Sequence, residues 1–179
     1  MRSIQVSGKT FEELITPQQI AAAVEQVAMR IHQDYEGKEV MFLVVLNGAF
    51  IYAADLVRKV NLPCEIQFVR LKSYEGMQST GCIQELVKTP ETVAGRDVIV
   101  IEDIVDTGTS MHYFKQHLLD MGAHSVRVTS IVFKQDALRY EDARPDYIGL
   151  SIPKRFIIGY GLDWDEAGRD LDAIYAAVE

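Results

Sequence analysis

The stretch Val98-Ile99-Val100-Ile101-Glu102-Asp103-Ile104-Val105-Asp106-Thr107-Gly108-Thr109-Ser110 sets a buried strand directly against an acidic, glycine-containing turn. Four consecutive apolar residues suit a strand covered on both faces. The turn that follows the acids is small and hydroxylated, and it opens a helix. In that helix Met111, Phe114, Leu118 and Met121 share one face, and Gly122 ends the run. Such a turn aims successive backbone N–H groups at an anion with a helix dipole behind them, and Thr107, Thr109 and Ser110 add hydroxyl donors. It is no Walker loop, since GxxxxGK is absent, and no dinucleotide fingerprint, since GxGxxG is absent. Glu102, Asp103 and Asp106 pose a difficulty there, because carboxylates repel phosphate unless they have another partner. Two adjacent acids at a strand end can accept hydrogen bonds from a vicinal diol or hold Mg²⁺ through its waters. A ribose phosphate with Mg²⁺ would satisfy both halves. The competing reading is a solvated acidic turn that caps a helix.

The flanking sequence alternates in the same manner. Thr16-Pro17-Gln18-Gln19 predicts a helix start, with a hydroxyl N-cap, Pro at the first helical position and Gln closing a capping box. Ile20, Val24, Val27 and Ile31 recur at helical spacing before Gly37. Val40 to Leu46 is a second doubly buried strand, ended by Asn47-Gly48, and Phe50 to Val60 reads as helix. Ile66, Phe68 and Leu71 suggest a strand, and 73–81 reads as an exposed polar loop. Val126 to Phe133 is another strand, with shorter ones at Tyr147 to Ile152 and Phe156 to Ile158. Buried strands alternating with helices predict an α/β fold with an open, mostly parallel twisted sheet flanked by helices. Ligands bind such sheets at the carboxyl ends of the strands.

The whole-chain figures narrow the class. The 179 residues suffice for one domain with a core of its own, 1–179, and are too few for two large ones. A composition 48% apolar and 25% charged is that of a soluble globular chain. Eighteen basic against 26 acidic residues give a net charge of -8, which argues against nucleic acid as partner but not against a small phosphorylated ligand. The longest apolar run, Val40 to Leu46, is too short for a membrane span, and the first residues carry no signal core. Cys64 and Cys82 form neither a disulfide framework nor a metal spacing, which points to free thiols and a cytoplasmic location.

The segment 98–110 resembles the phosphoribosyl-pyrophosphate (PRPP) motif of type I phosphoribosyltransferases: four apolar residues, two acids, two apolar residues, then Asp-Thr-Gly and hydroxyls. Leu71-Lys72-Ser73-Tyr74 with Gln78-Ser79-Thr80-Gly81 is similar to the mobile active-site loop of hypoxanthine-guanine phosphoribosyltransferases. Val132-Phe133-Lys134, Ile152 through Asp163, and Arg169-Asp170-Leu171 match the same family in order and spacing, from about residue 40 to 172.

The resemblance implies a type I phosphoribosyltransferase fold, with a core over about 38–150 and a small hood from the chain ends, about 1–15 and 151–179. It implies purine salvage: transfer of the ribose 5-phosphate of PRPP to N9 of hypoxanthine or guanine, giving IMP or GMP and pyrophosphate, with Mg²⁺. By that reading Glu102 and Asp103 take the ribose hydroxyls and the Mg²⁺ water shell, and Asp106 is the general acid/base at N7. Residues Thr107, Gly108, Thr109 and Ser110 hold the 5′-phosphate, and Ser73 and Tyr74 belong to the mobile loop.

Lys134 donates to the purine O6, although a lone Lys after a strand is ordinarily solvated. Phe156 stacks on the base, where spacing alone allows a core aromatic equally well. Ile157 reads the base edge through its backbone, and Asp163 reaches a second Mg²⁺ and the guanine 2-amino group. Pyrophosphate falls to the backbone N–H groups of the Leu46-Asn47-Gly48-Ala49 loop and to Arg169. In this family that loop carries a non-proline cis peptide; the sequence does not show whether Leu46-Asn47 is cis. The chain departs from the family at Asn47 and Thr109, where many relatives have Lys. Trp164, the four histidines and both cysteines receive no role. A homodimer or homotetramer is expected. The alternative function is an RNA-binding regulator on the same fold, which calls for a basic face.

Overall fold

The computed structural model describes residues 2–72 and 84–178. Two short antiparallel strands, β1 (Ser3–Val6) and β2 (Lys9–Ile15), precede helix α1 (Pro17–Tyr35). The capping box at its start forms as the sequence predicts: Gln19 N–H donates to Thr16 Oγ1 at 3.3 Å, and Thr16 N–H to Gln19 Oε1 at 2.9 Å. Then come β3 (Val40–Leu46), α2 (Phe50–Val60), β4 (Cys64–Lys72), β5 (Gln84–Val87) and β6 (Asp97–Val105). Helix α3 (Thr109–Asp120), β7 (Ser125–Phe133), β8 (Tyr147–Ser151), β9 (Ile157–Ile158) and β10 (Ile174–Ala177) complete the order.

The main sheet runs β5-β4-β3-β6-β7-β8, parallel throughout except for the edge strand β5. Its apolar strands obey the period of two. From β3, Val40, Phe42 and Val44 face α1 and α2, while Met41, Leu43 and Val45 face Phe114 and Leu118 of α3. Hence both faces are covered, and the unbroken apolar run 40–46 is explained. A second, antiparallel sheet of order β1-β2-β10-β9 joins the two chain ends.

Two differences from the sequence reading bear on the site. The four-residue strands β1 and β10 are too short for the periodicity reading, and β2, whose seven residues include Lys9, Glu12 and Glu13, escapes it as well. Strand β6 also runs four residues beyond Ile101, so Glu102 and Asp103 lie in the strand rather than in the turn. The reason is one-sided pairing. Strand β3 stops pairing with β6 at Ile101, but β7 continues, matching Glu102 with Ser130 and Val105 with Phe133. The acidic half of β6 is therefore held on one edge and open on the other. From β3 the chain moves to β4 through α2 on one face. From β6 it moves to β7 through α3 on the opposite face. The reversal of winding between β3 and β6 makes a crevice at their carboxyl ends.

Candidate active site

A cleft of about 300 Å³ occupies this crevice, walled by residues 45–48, by Leu71 and by the continuous run 102–111. The turn Asp106 to Ser110 is fixed in shape by its neighbours. Gly108 sits just before α3 with φ +76, and a Cβ there would lie 2.8 Å from Ala143 Cβ and from Leu138 Cδ1. Only glycine meets both demands without strain. The Thr107 and Thr109 hydroxyls lie 3.1 Å apart, and Thr107 O accepts from Arg139 N–H at 2.9 Å.

Glu102 and Asp103 stand next to this turn. Burial pushes the Glu102 carboxyl well above the usual range, and the neighbouring Asp103 charge pushes it further. Burial also raises Asp103, opposed in part by the Ile104 N–H at 2.6 Å and by the charge of Arg169. Among the described residues no Lys or Arg forms an ion pair with either group. Two crowded carboxylates with no direct ion-pair partner, offering oxygen donors only, suit a hard cation that keeps several waters and shares them with substrate phosphates. No group of three or more His, Cys, Asp or Glu side chains converges among the described residues, so a closed protein cage for a metal is absent from that part of the chain.

The loop after β3 closes the other wall. The Leu46-Asn47 peptide is cis. Asn47 is exposed while Gly48 and Ala49 are buried. A Cβ on Gly48 would fall 1.5 Å from Asp103 Oδ2, and a Cβ on Gly161 would fall 2.0 Å from Gly48 O. Gly48 is thus clamped between the β6 acid and the backbone of the 159–162 turn. The glycines of Ile158-Gly159-Tyr160-Gly161-Leu162 signal such close approach in the sequence, yet Gly161 receives no role there. Ala49 N–H, the third amide of the expected pyrophosphate cradle, is directed at Val45 O at 3.4 Å.

Lys134 departs from the solvated behaviour common to its type. It is only 7% exposed, and its Nζ donates to Asp106 Oδ2 at 2.9 Å. Its own N–H donates to Val105 O at 3.0 Å, tying the end of β7 to the end of β6. Phe156, by contrast, is 45% exposed, and Ile157 beside it is buried in β9. The Asp163 carboxylate forms an ion pair with Arg169 at 2.8 Å and accepts from Glu166 N–H at 3.0 Å. Arg169 also donates to Gly161 O at 2.9 Å. The guanidinium therefore braces the 161–169 turn, and its charge reaches Asp103. The loop expected to bear Ser73 and Tyr74, like Cys82, lies outside the described residues.

Residues 11–165 match the phosphoribosyl transferase domain family. The hypoxanthine-guanine phosphoribosyltransferase of Aquifex aeolicus is 34% identical over 173 residues, covering 96% of this chain and 97% of that one. The enzyme of the same description from Mycobacterium bovis is 33% identical over 168 residues, 90% and 83% of the two chains. Among solved structures, a hypoxanthine-guanine phosphoribosyltransferase from Bacillus anthracis with HEPES in its active site superposes with a TM-score of 0.87. It is 32% identical, covering 94% of this chain and 97% of that one. A hypoxanthine phosphoribosyltransferase from Staphylococcus aureus gives a TM-score of 0.88 at 28% identity, covering 93% and 91%.

Proposed function

Since the chain belongs to the hypoxanthine-guanine phosphoribosyltransferase family, we propose that its cleft transfers the 5-phosphoribosyl group of PRPP to N9 of hypoxanthine or guanine, releasing pyrophosphate. The observation that carries this reading is the buried Lys134 ammonium paired with the partly exposed Asp106 at 2.9 Å, beside the turn 107–110. The 5′-phosphate occupies the turn 107–110, and Glu102 and Asp103 face the ribose hydroxyls. Glu102 and Asp103 would hold Mg²⁺ together with the substrate's phosphates, and the ion would supply countercharge to the departing pyrophosphate. Asn47 and Gly48 offer backbone N–H groups to that pyrophosphate, and Arg169 adds positive charge from behind.

As the base enters, Lys134 and Asp106 exchange each other for the purine. An ammonium has only donors, so Lys134 bonds a 6-oxo group and cannot accept from the 6-amino group of adenine. Asp106 then faces N7, where it can give or take the proton as charge develops on the ring. Phe156 stacks on the base, Ile157 reads its edge, and Asp163 meets the 2-amino group through its backbone carbonyl and would help to hold a second Mg²⁺. A cytoplasmic homodimer or homotetramer completes the reading. No observation favours the RNA-binding alternative, and the net charge of -8 opposes it.

A PRPP- and Mg²⁺-dependent assay with hypoxanthine, guanine, xanthine and adenine tests the proposal. Hypoxanthine or guanine should be turned over and adenine rejected, with discrimination of up to about 10⁴–10⁵ for a site built around one polar contact. Lys134→Gln, whose amide both donates and accepts, should narrow that ratio. Equal use of adenine and hypoxanthine by the unaltered protein would sink the reading.

A further inference from the structure

The chain's one tryptophan, which sequence reasoning leaves without a role, stands against the aromatic ring proposed to stack on the base. Trp164 and Phe156 meet edge to face, with ring centroids 5.2 Å apart and planes at 86°. Buried Phe11 of β2 lies 6.3 Å from Phe156 at 44°. Neither neighbour is parallel to Phe156, so neither takes a stacked place on a ring that remains 45% exposed. An offset or parallel stack, the geometry a planar base adopts, is left free.

Trp164 is itself rigidly set. Trp164 and Ala167 exchange N–H···O bonds of 2.9 and 3.0 Å across a two-residue turn. Its central residues, Asp165 and Glu166, both have positive φ, 53° and 60°. That is the geometry of a primed hairpin turn, which fixes the direction of the residues flanking it. Asp163 Oδ2 ties the turn again at Glu166 N–H. From the other end of the chain, a second two-residue turn at Ser7 and Gly8, with φ 44° and 78°, delivers Lys9 at the start of β2. Lys9 Nζ sits 3.7 Å from the Trp164 ring centroid, inside cation–π range.

We propose that Trp164, held by its turn and by Lys9, is a positioning residue that fixes the angle of Phe156 and so prepares the surface on which the purine stacks. The proposal rests on the reading of Phe156 as the base's stacking partner. Ordering that ring in advance lowers the cost of binding the base and leaves the ribosyl transfer itself untouched.

Steady-state kinetics on the full chain separate these roles. Trp164→Leu should raise KM for hypoxanthine about three- to tenfold, the worth of one aromatic pair, while kcat and KM for PRPP stay within about twofold. Trp164→Phe, which restores an aromatic edge, should recover most of the loss. In the unaltered protein IMP should change the tryptophan emission, and pyrophosphate alone should not. If Trp164→Leu lowers kcat and raises both KM values together, or changes none of them, the proposal is overturned. Phe156→Ala distinguishes the two failures. An unchanged hypoxanthine KM in Phe156→Ala removes the stacking reading and the proposal with it. A raised KM there, with none in Trp164→Leu, removes the proposal alone.

Discussion

Lys134 Nζ donates to Asp106 Oδ2 at 2.9 Å. A buried ammonium without a partner would be expensive, and an ion pair removes that cost without filling the site permanently. Asp106, on the wall of the cleft and partly exposed, is the member free to turn toward a ligand. Asp106→Asn separates its two duties. The amide oxygen still accepts from Lys134 but carries no charge, so Tm should fall somewhat while the fold is kept. The amide takes no proton, so kcat should fall at least about 100-fold, the lower end of general acid–base effects. PRPP affinity should be nearly unchanged. Turnover near the unaltered value would exclude Asp106 as the acid/base.

At the scale of elements, the loop after β3 owes its form to two contacts that allow no side chain. Gly48 faces the Asp103 carboxylate on one side and Gly161 on the other. The crowding reason for glycine is therefore internal, not simply the approach of a phosphate. Gly48→Ala must displace Asp103 or open the loop, and overpacking of this kind costs about 1–3 kcal/mol. Asn47 is exposed, and its side chain offers a neutral donor worth about 0.5–1.5 kcal/mol. Asn47→Ala should weaken inhibition by pyrophosphate only several-fold, whereas Gly48→Ala should abolish most activity and lower Tm. Inhibition constants and melting curves for the two variants decide this. A larger loss in Asn47→Ala would make the Asn47 side chain, not the backbone, the ligand.

Across the whole molecule, stability and function oppose each other at Glu102. Its pKa is pushed above the ordinary carboxylate value by burial and by Asp103, so between the unfolded and folded values the folded state binds more proton than the unfolded state. Stability therefore falls as pH rises from the ordinary carboxylate value toward the raised one. Glu102→Gln removes that charge. At neutral pH and without ligands the variant should melt higher, by about 2–4 °C for each kcal/mol recovered. Mg²⁺ with PRPP should raise the melting temperature of the unaltered protein more than that of the variant, and the variant should lose activity. A melting temperature lowered by Glu102→Gln would show that the carboxylate is not under strain from its surroundings.

The sequence alone determined the fold class. Val40 to Leu46 and Val98 to Ile101 are apolar at every position, which requires cover on both faces, and the helical stripes between strands supply it. It also determined the glycine-containing turn before α3, because a glycine with hydroxyls at a helix start is a local arrangement readable from neighbours in the chain. The extent of β6 was not legible, since pairing with β7 past Ile101 overrides the polarity of Glu102 and Asp103. Nor were the contacts that shape the site: Gly48 with Asp103, Gly161 with Gly48, Lys134 with Asp106, Trp164 with Phe156 and Lys9. Except for Trp164 with Phe156, each joins residues at least 28 positions apart, on different strands or turns. Periodicity records which face of an element is buried, but not which distant side chain meets it. That choice belongs to the winding of the sheet and the closure of the chain ends, and only the tertiary structure made it.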